Sequence, residues 1–385
     1  MTQLHVTPGT PSARTPPEER RHPPTQLQTI DESLPAELAQ ELAGFLAGKR
    51  ADAEAVDPTF AAAVDSLVDF VLGGGKRIRP TFAWWGWRGV GTSPEEPAAV
   101  LRAVSALELF QGCALVHDDL MDDSITRRGS ATVHVDFARR HRGEGWLGAP
   151  ERFGAAAAIL LGDVALAWSD DMLHGAGLGP DALRRALGVW QAMRTEVLGG
   201  QYLDVLTQAR GDETPEAALR VDRFKTAAYT VERPLHLGAA IAGADASLVT
   251  SYRRFGADIG IAFQLRDDLL GMYGDPEITG KPAGDDLREG KRTLLLASGL
   301  RAADERGSNA AADTLRSAIG RSDLGTDDID AVRQLLVELG AVRHVECRIA
   351  ALTGSALSTL RAADVVEPAA TRLAELAVLA TSRHS

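Results

Sequence analysis

From Ile30 onward the chain places apolar residues at helical spacing almost without a break. Leu34, Leu38, Leu42 and Leu46 recur every four positions, which lays one apolar stripe along a helix. The same periodicity predicts helices over 59–72, 97–121, 154–174, 180–208, 215–242, 246–272 and 289–303, with more to about residue 382. No segment alternates with the period of two that a half-buried strand needs. The pattern predicts an all-α protein, with one large helical bundle domain over 30–385. A disordered tail over 1–29, rich in Pro, Thr and Arg, precedes it.

The breaks in the pattern carry their own signals. Gly73-Gly74-Gly75 stops one helix, and Pro80 suits the first turn of the next. Residues 272–290 form a loop rich in Gly, Pro and Asp, with Lys281 within it and Lys291 just after. Residues 141–153 are a polar, Gly-rich insertion, and 305–330 look like a polar connection.

Bulk properties narrow the function. Apolar residues make up 45% of the chain, ample for a large core. Forty-one basic against 53 acidic residues give a net charge of −12, which argues against a general nucleic-acid binder. Cys113 and Cys347 form no disulfide framework, so a reducing, cytoplasmic setting is expected. No uninterrupted apolar run reaches the roughly 18 residues of a membrane span, and the N-terminus lacks the apolar core of a signal peptide.

The chemistry concentrates in two acidic clusters inside apolar, helical stretches: Asp118-Asp119-Leu120-Met121-Asp122-Asp123 and Gln264-Leu265-Arg266-Asp267-Asp268. Carboxylates on one surface raise each other's pKa, so two such clusters point to cations between them. Asp118 and Asp122 are one helical turn apart, with Asp119 flanking their face. Mg²⁺ takes hard oxygen ligands and is usually completed by water and substrate phosphate. A solvated acidic face is the common alternative for such a run, but Leu107, Leu109, Phe110, Leu115 and Val116 bury the turns before it. His117 beside Asp118 would suit a His-Asp phosphohydrolase, but no other histidine pairs with it at helical spacing, so it is expected to be packed or hydrogen-bonded.

Cations flank both clusters. Lys76, Arg77 and Arg79 sit at a helix N-terminus, where free amides already favour anions, and Lys76 and Arg79 are spaced to converge on one diphosphate. Arg127 and Arg128 follow the first cluster, and Lys225-Thr226 stand in a later helix. Lys281 and Lys291 follow the second cluster on a loop suited to close over phosphate. One phosphate ligand would not need two cationic patches. Two diphosphates would, one metal-bound and set up as a leaving group, the other held by Lys and Arg alone. No Ser/His/Asp or Cys/His nucleophile arrangement stands out.

The segment Gly-Gly-Gly-Lys76-Arg-Ile-Arg79-Pro, the Asp-Asp-x-x-Asp of 118–122 with Arg127-Arg128-Gly, Lys225-Thr226 and Phe-Gln264-x-x-Asp-Asp resemble the trans-isoprenyl diphosphate synthase (polyprenyl synthetase) family over about 30–380. The resemblance implies the isoprenoid synthase fold with a central cavity, a homodimer, and two or three Mg²⁺ ions. It implies condensation of isopentenyl diphosphate with an allylic diphosphate (dimethylallyl, geranyl or farnesyl). Asp118, Asp119, Asp122, Asp267 and Asp268 would hold the metal and the allylic diphosphate. Arg127, Lys225, Gln264 and Lys281 would assist, with Thr226 and Lys291 nearby. Lys76, Arg79, Gln111 and Arg128 would hold isopentenyl diphosphate. Relatives often carry histidine at the position of Gln111 and a third aspartate where this chain has Gly271.

In this family the growing chain points along the helix of the first motif. Ala114 and Cys113 are too small to floor the pocket near the metals, while Phe110 lies about 5.4 Å deeper, one turn on. That favours a C20 product, geranylgeranyl diphosphate, over C15 farnesyl diphosphate. A class I terpene cyclase would share the metal logic but not need the Lys76/Arg79 patch. A non-catalytic partner subunit would not need both metal motifs intact.

Overall fold

A computed structural model describes residues 25–275 and 284–382. The chain is all-α. Its helices are α1 (Gln26–Val56), α2 (Pro58–Leu72), α3 (Ile78–Arg88), α4 (Pro97–Met121), α5 (Val133–Gly143), α6 (Pro150–His174), α7 (Pro180–Arg210) and α8 (Pro215–Val221). A π-helical segment (Asp222–Glu232) leads into α9 (Arg233–Ala242) and α10 (Ala246–Tyr273). After α11 (Asp285–Arg288) come α12 (Leu294–Glu305), α13 (Asn309–Ala318), α14 (Thr326–Glu338), α15 (Ala341–Ala362) and α16 (Ala369–Thr381). The described strands are a two-residue pair, β1 (Thr126–Arg127) and β2 (Ser130–Ala131), joined antiparallel.

Proline opens α2, α4, α6, α7 and α8, where its missing N–H has no helical partner to lose. Asp57 and Asp245 cap α2 and α10 by accepting from Thr59 N and Leu248 N. α4 is buried nearly all round and packs on α6, α3 and α1. α10 spans two apolar cores. Phe255 and Ile259 belong to the larger one around α4, while Leu265, Leu269 and Met272 join the core of α12–α15. Both acidic motifs therefore ride on helices held within these buried cores.

Several expectations need revision. α1 starts at Gln26, inside the stretch expected to be a tail, because Thr25 and Gln28 form a reciprocal cap. Residues 1–24 lie outside the described residues. The expected polar connection over 305–330 contains α13, which buries Ala312, Leu315 and Ala318 at helical spacing. The predicted helix over 289–303 starts instead at Leu294, capped by Thr293. Two helices, α4 and α6, are long and apolar enough to cross a membrane by length and composition, contrary to the count of uninterrupted apolar runs. Isolated polar residues hid them from that count. Within α4 78% of the apolar window is buried inside the fold, against 33% in α6.

Candidate active site

A cavity of about 840 Å³ opens between α3, α4, α7, the π-helical segment and α10. Its walls carry Lys76, Arg79, Gln111, Asp118, Arg127, Arg128, Lys225, Thr226, Gln264, Asp267, Asp268 and Lys291. Most residues singled out from sequence thus reach one space, but Asp119 and Asp122 do not line it. Lys281 lies outside the described residues.

The three acids of the first motif do different work. Asp118 faces the cavity and accepts from Lys225 Nζ at 2.8 Å and from Gln201 Nε2 at 3.0 Å. Burial alone would push its carboxyl up, but Lys225, Lys291 and Arg127 hold it at about 2, so it is ionised at neutral pH. Asp119 is buried and accepts from Arg127 Nε at 2.6 Å, with Arg127 Nη2 also 2.6 Å away. Asp122 caps α4 at its C-terminal end, 3.4 Å from Lys291 Nζ. Burial and then the neighbouring Asp118 push its carboxyl up to about 6. His117 contacts the Ile159 carbonyl at 3.1 Å, the packed role expected of it.

Lys225 is clamped. Its Nζ also donates to Asp204 of α7 at 2.5 Å, and the two carboxylates outweigh burial to raise its pKa. The π-helical segment that carries it also brings Asp222, Thr226 and Tyr229 to the cavity, at spacings of three, four and seven residues that put all four on one face.

The second motif lies deeper. Gln264 Nε2 donates to Asp268 Oδ1 at 2.7 Å, while Asp268 Oδ2 is buried without a hydrogen-bond partner among the described residues. Burial, then Asp222 and Asp286, push the Asp268 carboxyl well above the usual range. Lys291 joins the two acidic faces, 3.4 Å from Asp122, 3.3 Å from Asp286 and 2.7 Å from Glu289. The cavity acids are all hard oxygen donors, and an orphaned buried carboxylate oxygen is what a cation would satisfy; both fit Mg²⁺. Among the described residues no three His, Cys, Asp or Glu side chains already converge as a ligand set. Water and phosphate oxygens would have to complete the coordination.

The β1–β2 turn separates two adjacent arginines. Arg127 turns onto Asp119. Arg128, at φ 53°, turns the other way, so that a Cβ on Gly75 would stand 3.4 Å from its guanidinium. Gly75, itself at φ 114°, admits that approach. Arg79 stacks over the Tyr229 ring at 4.1 Å and donates to Thr230 Oγ1 at 2.8 Å, while Tyr229 OH donates to Gln111 Oε1 at 2.7 Å. Arg77, the third expected cation of this loop, leaves the site: it is buried and pairs with Glu108 at 2.6 Å. Its left-handed backbone, φ 48°, reverses the side chain away from Lys76 and Arg79.

Phe110 does not line the open cavity, which at that end meets Gln111, Ala114, Leu115 and Val197. It lies behind them, its ring 5.8 Å from Trp190 and 6.2 Å from Tyr229.

Sequence reasoning missed Gln201, Asp204 and Asp222. Asp204 carried a readable signal, an acid at helical spacing in the stripe Val197, Gly200, Asp204 and Thr207, all buried. A buried acid requires a partner.

Comparison with known proteins places the chain in a family. The family model described as "Polyprenyl synthetase" matches residues 61–336. The geranylfarnesyl diphosphate synthase of Aeropyrum pernix is 32% identical over 281 residues, 72% of this chain and 80% of that protein. A (2E,6E)-farnesyl diphosphate synthase of Mycobacterium tuberculosis is 34% identical over 270 residues, 70% of this chain and 68% of that one. Among solved structures, a geranylgeranyl pyrophosphate synthase from Corynebacterium glutamicum, complexed with isoprenyl diphosphate and magnesium, aligns with a TM-score of 0.88 at 45% identity. That alignment covers 94% of this chain and 100% of the other.

Proposed function

The chain belongs to the polyprenyl synthetase family and is a trans-prenyltransferase, and from that premise we propose that it condenses isopentenyl diphosphate with an allylic diphosphate to make geranylgeranyl diphosphate. Residues 30–385 act in this reading as one catalytic domain.

The observation that carries the reading is the parting of Arg127 and Arg128. Neighbours in sequence, they serve opposite sides of the cavity, one on the acidic face and one on the glycine loop. Two anion sites result. Asp118, Asp119, Asp122, Asp267 and Asp268 would hold Mg²⁺, two or three ions, which when bound neutralise charge on the departing pyrophosphate. Lys225 is fixed by Asp118 and Asp204, so its remaining donor capacity meets that charge without reorganisation. Arg127, Thr226, Gln264, Lys281 and Lys291 assist on the same side. Lys76, Arg79, Gln111 and Arg128 hold the isopentenyl diphosphate. The allylic carbon–oxygen bond breaks, the isopentenyl double bond forms the new carbon–carbon bond, and the proton lost passes to pyrophosphate.

Similar proteins bear names spanning farnesyl, geranylgeranyl and geranylfarnesyl products, so chain length is argued from this chain alone. The small Ala114 leaves the pocket open on α4, and Phe110, which lies behind that wall braced by Trp190, would stop a chain that grows past Ala114. Exposed Ile159 and Leu160 on α6 and Leu198, Tyr202 and Val205 on α7 support a homodimer through these helices. The exposed free thiol of Cys347 supports a cytoplasmic setting.

The test is incubation of purified protein with Mg²⁺, isopentenyl diphosphate and each of the three allylic diphosphates, followed by chromatography of the products. Linear C20 product is expected. A cyclic hydrocarbon would indicate a class I cyclase, and no consumption of any substrate pair a non-catalytic subunit.

A further inference from the structure

The second acidic motif has only two acids on its helix, yet a third carboxylate reaches the same face from elsewhere in the chain. We propose that Asp286, on α11, completes that face as a metal-directed carboxylate, standing over Gly271 of α10.

The backbone delivers it there. Gly284 N donates to the Gly271 carbonyl at 2.9 Å, which docks the start of α11 on the last turns of α10. Lys291 N donates to the Asp286 carbonyl at 2.9 Å and fixes the other side of the turn. A Cβ added at Gly271 would overlap Asp286 Oδ2, so the carboxylate occupies the space a side chain at 271 would take. Gly271 is one helical turn after Asp267 and three residues after Asp268, so this space belongs to the face that carries both. Asp267, Asp268, Gly271 and Asp286 all line the cavity.

Two further observations point to a cation here. Asp268, only 6% exposed, has its Oδ2 buried on this face with no hydrogen-bond partner among the described residues. Lys291 meets Asp286 through Oδ1 at 3.3 Å, so the lysine contact leaves Oδ2 turned toward Gly271. A carboxylate whose only task was to pair Lys291 would not need the glycine opposite it.

This inference rests on the metal site of the proposed function and is tested without turnover. Mg²⁺ affinity of the full chain is measured by calorimetry in the presence of inorganic pyrophosphate, so a protein that makes no prenyl product can still be judged. Asp286→Asn keeps the shape and is expected to weaken Mg²⁺ binding about tenfold or more, the usual scale for losing a metal-directed group. Asp286→Ala should weaken it at least as much. Gly271→Asp added to Asp286→Ala moves the carboxylate from α11 to α10 and should recover most of the lost affinity, with melting curves of each variant confirming the fold. Wild-type affinity in Asp286→Asn would overturn the proposal. So would a double variant that folds but binds no better than Asp286→Ala, since Asp286 would then act only on Lys291.

Discussion

The ammonium of Lys225 lies 2.8 Å from Asp118 Oδ1, tying the π-helical segment to the end of α4 across the cavity. Asp204 holds the same ammonium from α7, so the cation is placed before any ligand arrives. Lys225→Met keeps the stem and removes the charge. Steady-state kinetics should show kcat/KM falling about 10²- to 10³-fold, the scale for one lost donor to developing charge. An unchanged kcat/KM would leave Lys225 a structural ion pair.

Phe110 is predicted to limit product length. Phe110→Ala removes the ring behind Ala114 and Gln111, leaving Trp190, fixed by its 2.6 Å hydrogen bond to Asp170, as the next barrier. Product chromatography should show a shift from C20 to longer chains. An unchanged product would mean that Phe110 is only core.

Arg77 should separate stability from catalysis. Arg77→Met leaves Glu108 buried and unpaired, a change that costs about 3–5 kcal/mol in comparable ion pairs. Denaturant melts should show that loss, with KM for isopentenyl diphosphate unchanged. Arg79→Met should do the reverse, raising KM with a smaller effect on stability.

Asp222 predicts a pH dependence of stability. Burial and the nearby Asp204 raise its carboxyl from an ordinary 3.8 to about 8. The folded state therefore keeps a proton that the unfolded chain releases. More protons bound when folded means that stability is fully present below pH 4 and falls as pH rises toward about 8. Asp268, also raised, acts in the same direction. Thermal melts of chelator-treated protein should show Asp222→Asn losing less stability than wild type between pH 5 and 8. A steeper loss in the variant would contradict the assignment.

The helices and both acidic motifs were legible because helical periodicity is local and carboxylates within apolar turns stand out against it. Lys76, Arg79, Arg128 and Lys225 were legible from their place at helix starts or beside the motifs. Asp204 was readable as a buried acid in need of a partner, but its pairing with Lys225 was not, and neither was Asp222, because these come from packing the π-helical segment against α7 and α10. Nor was the inward turn of Arg77, since its left-handed backbone is set by tertiary contacts with Glu108 and the Val71 carbonyl. Asp286 gains its position only where α11 meets Gly271, contacts that no local pattern encodes.

In the proposed reaction the Asp118 face ionises an allylic diphosphate with the help of Mg²⁺. Mg²⁺-dependent pyrophosphate release from farnesyl and isopentenyl diphosphates, compared between wild type and a folded Asp118→Ala variant, tests it most directly. Release by wild type should be matched by C20 product, with a rate lower by about 10³-fold or more in the variant. Release retained at the wild-type rate in Asp118→Ala would contradict it.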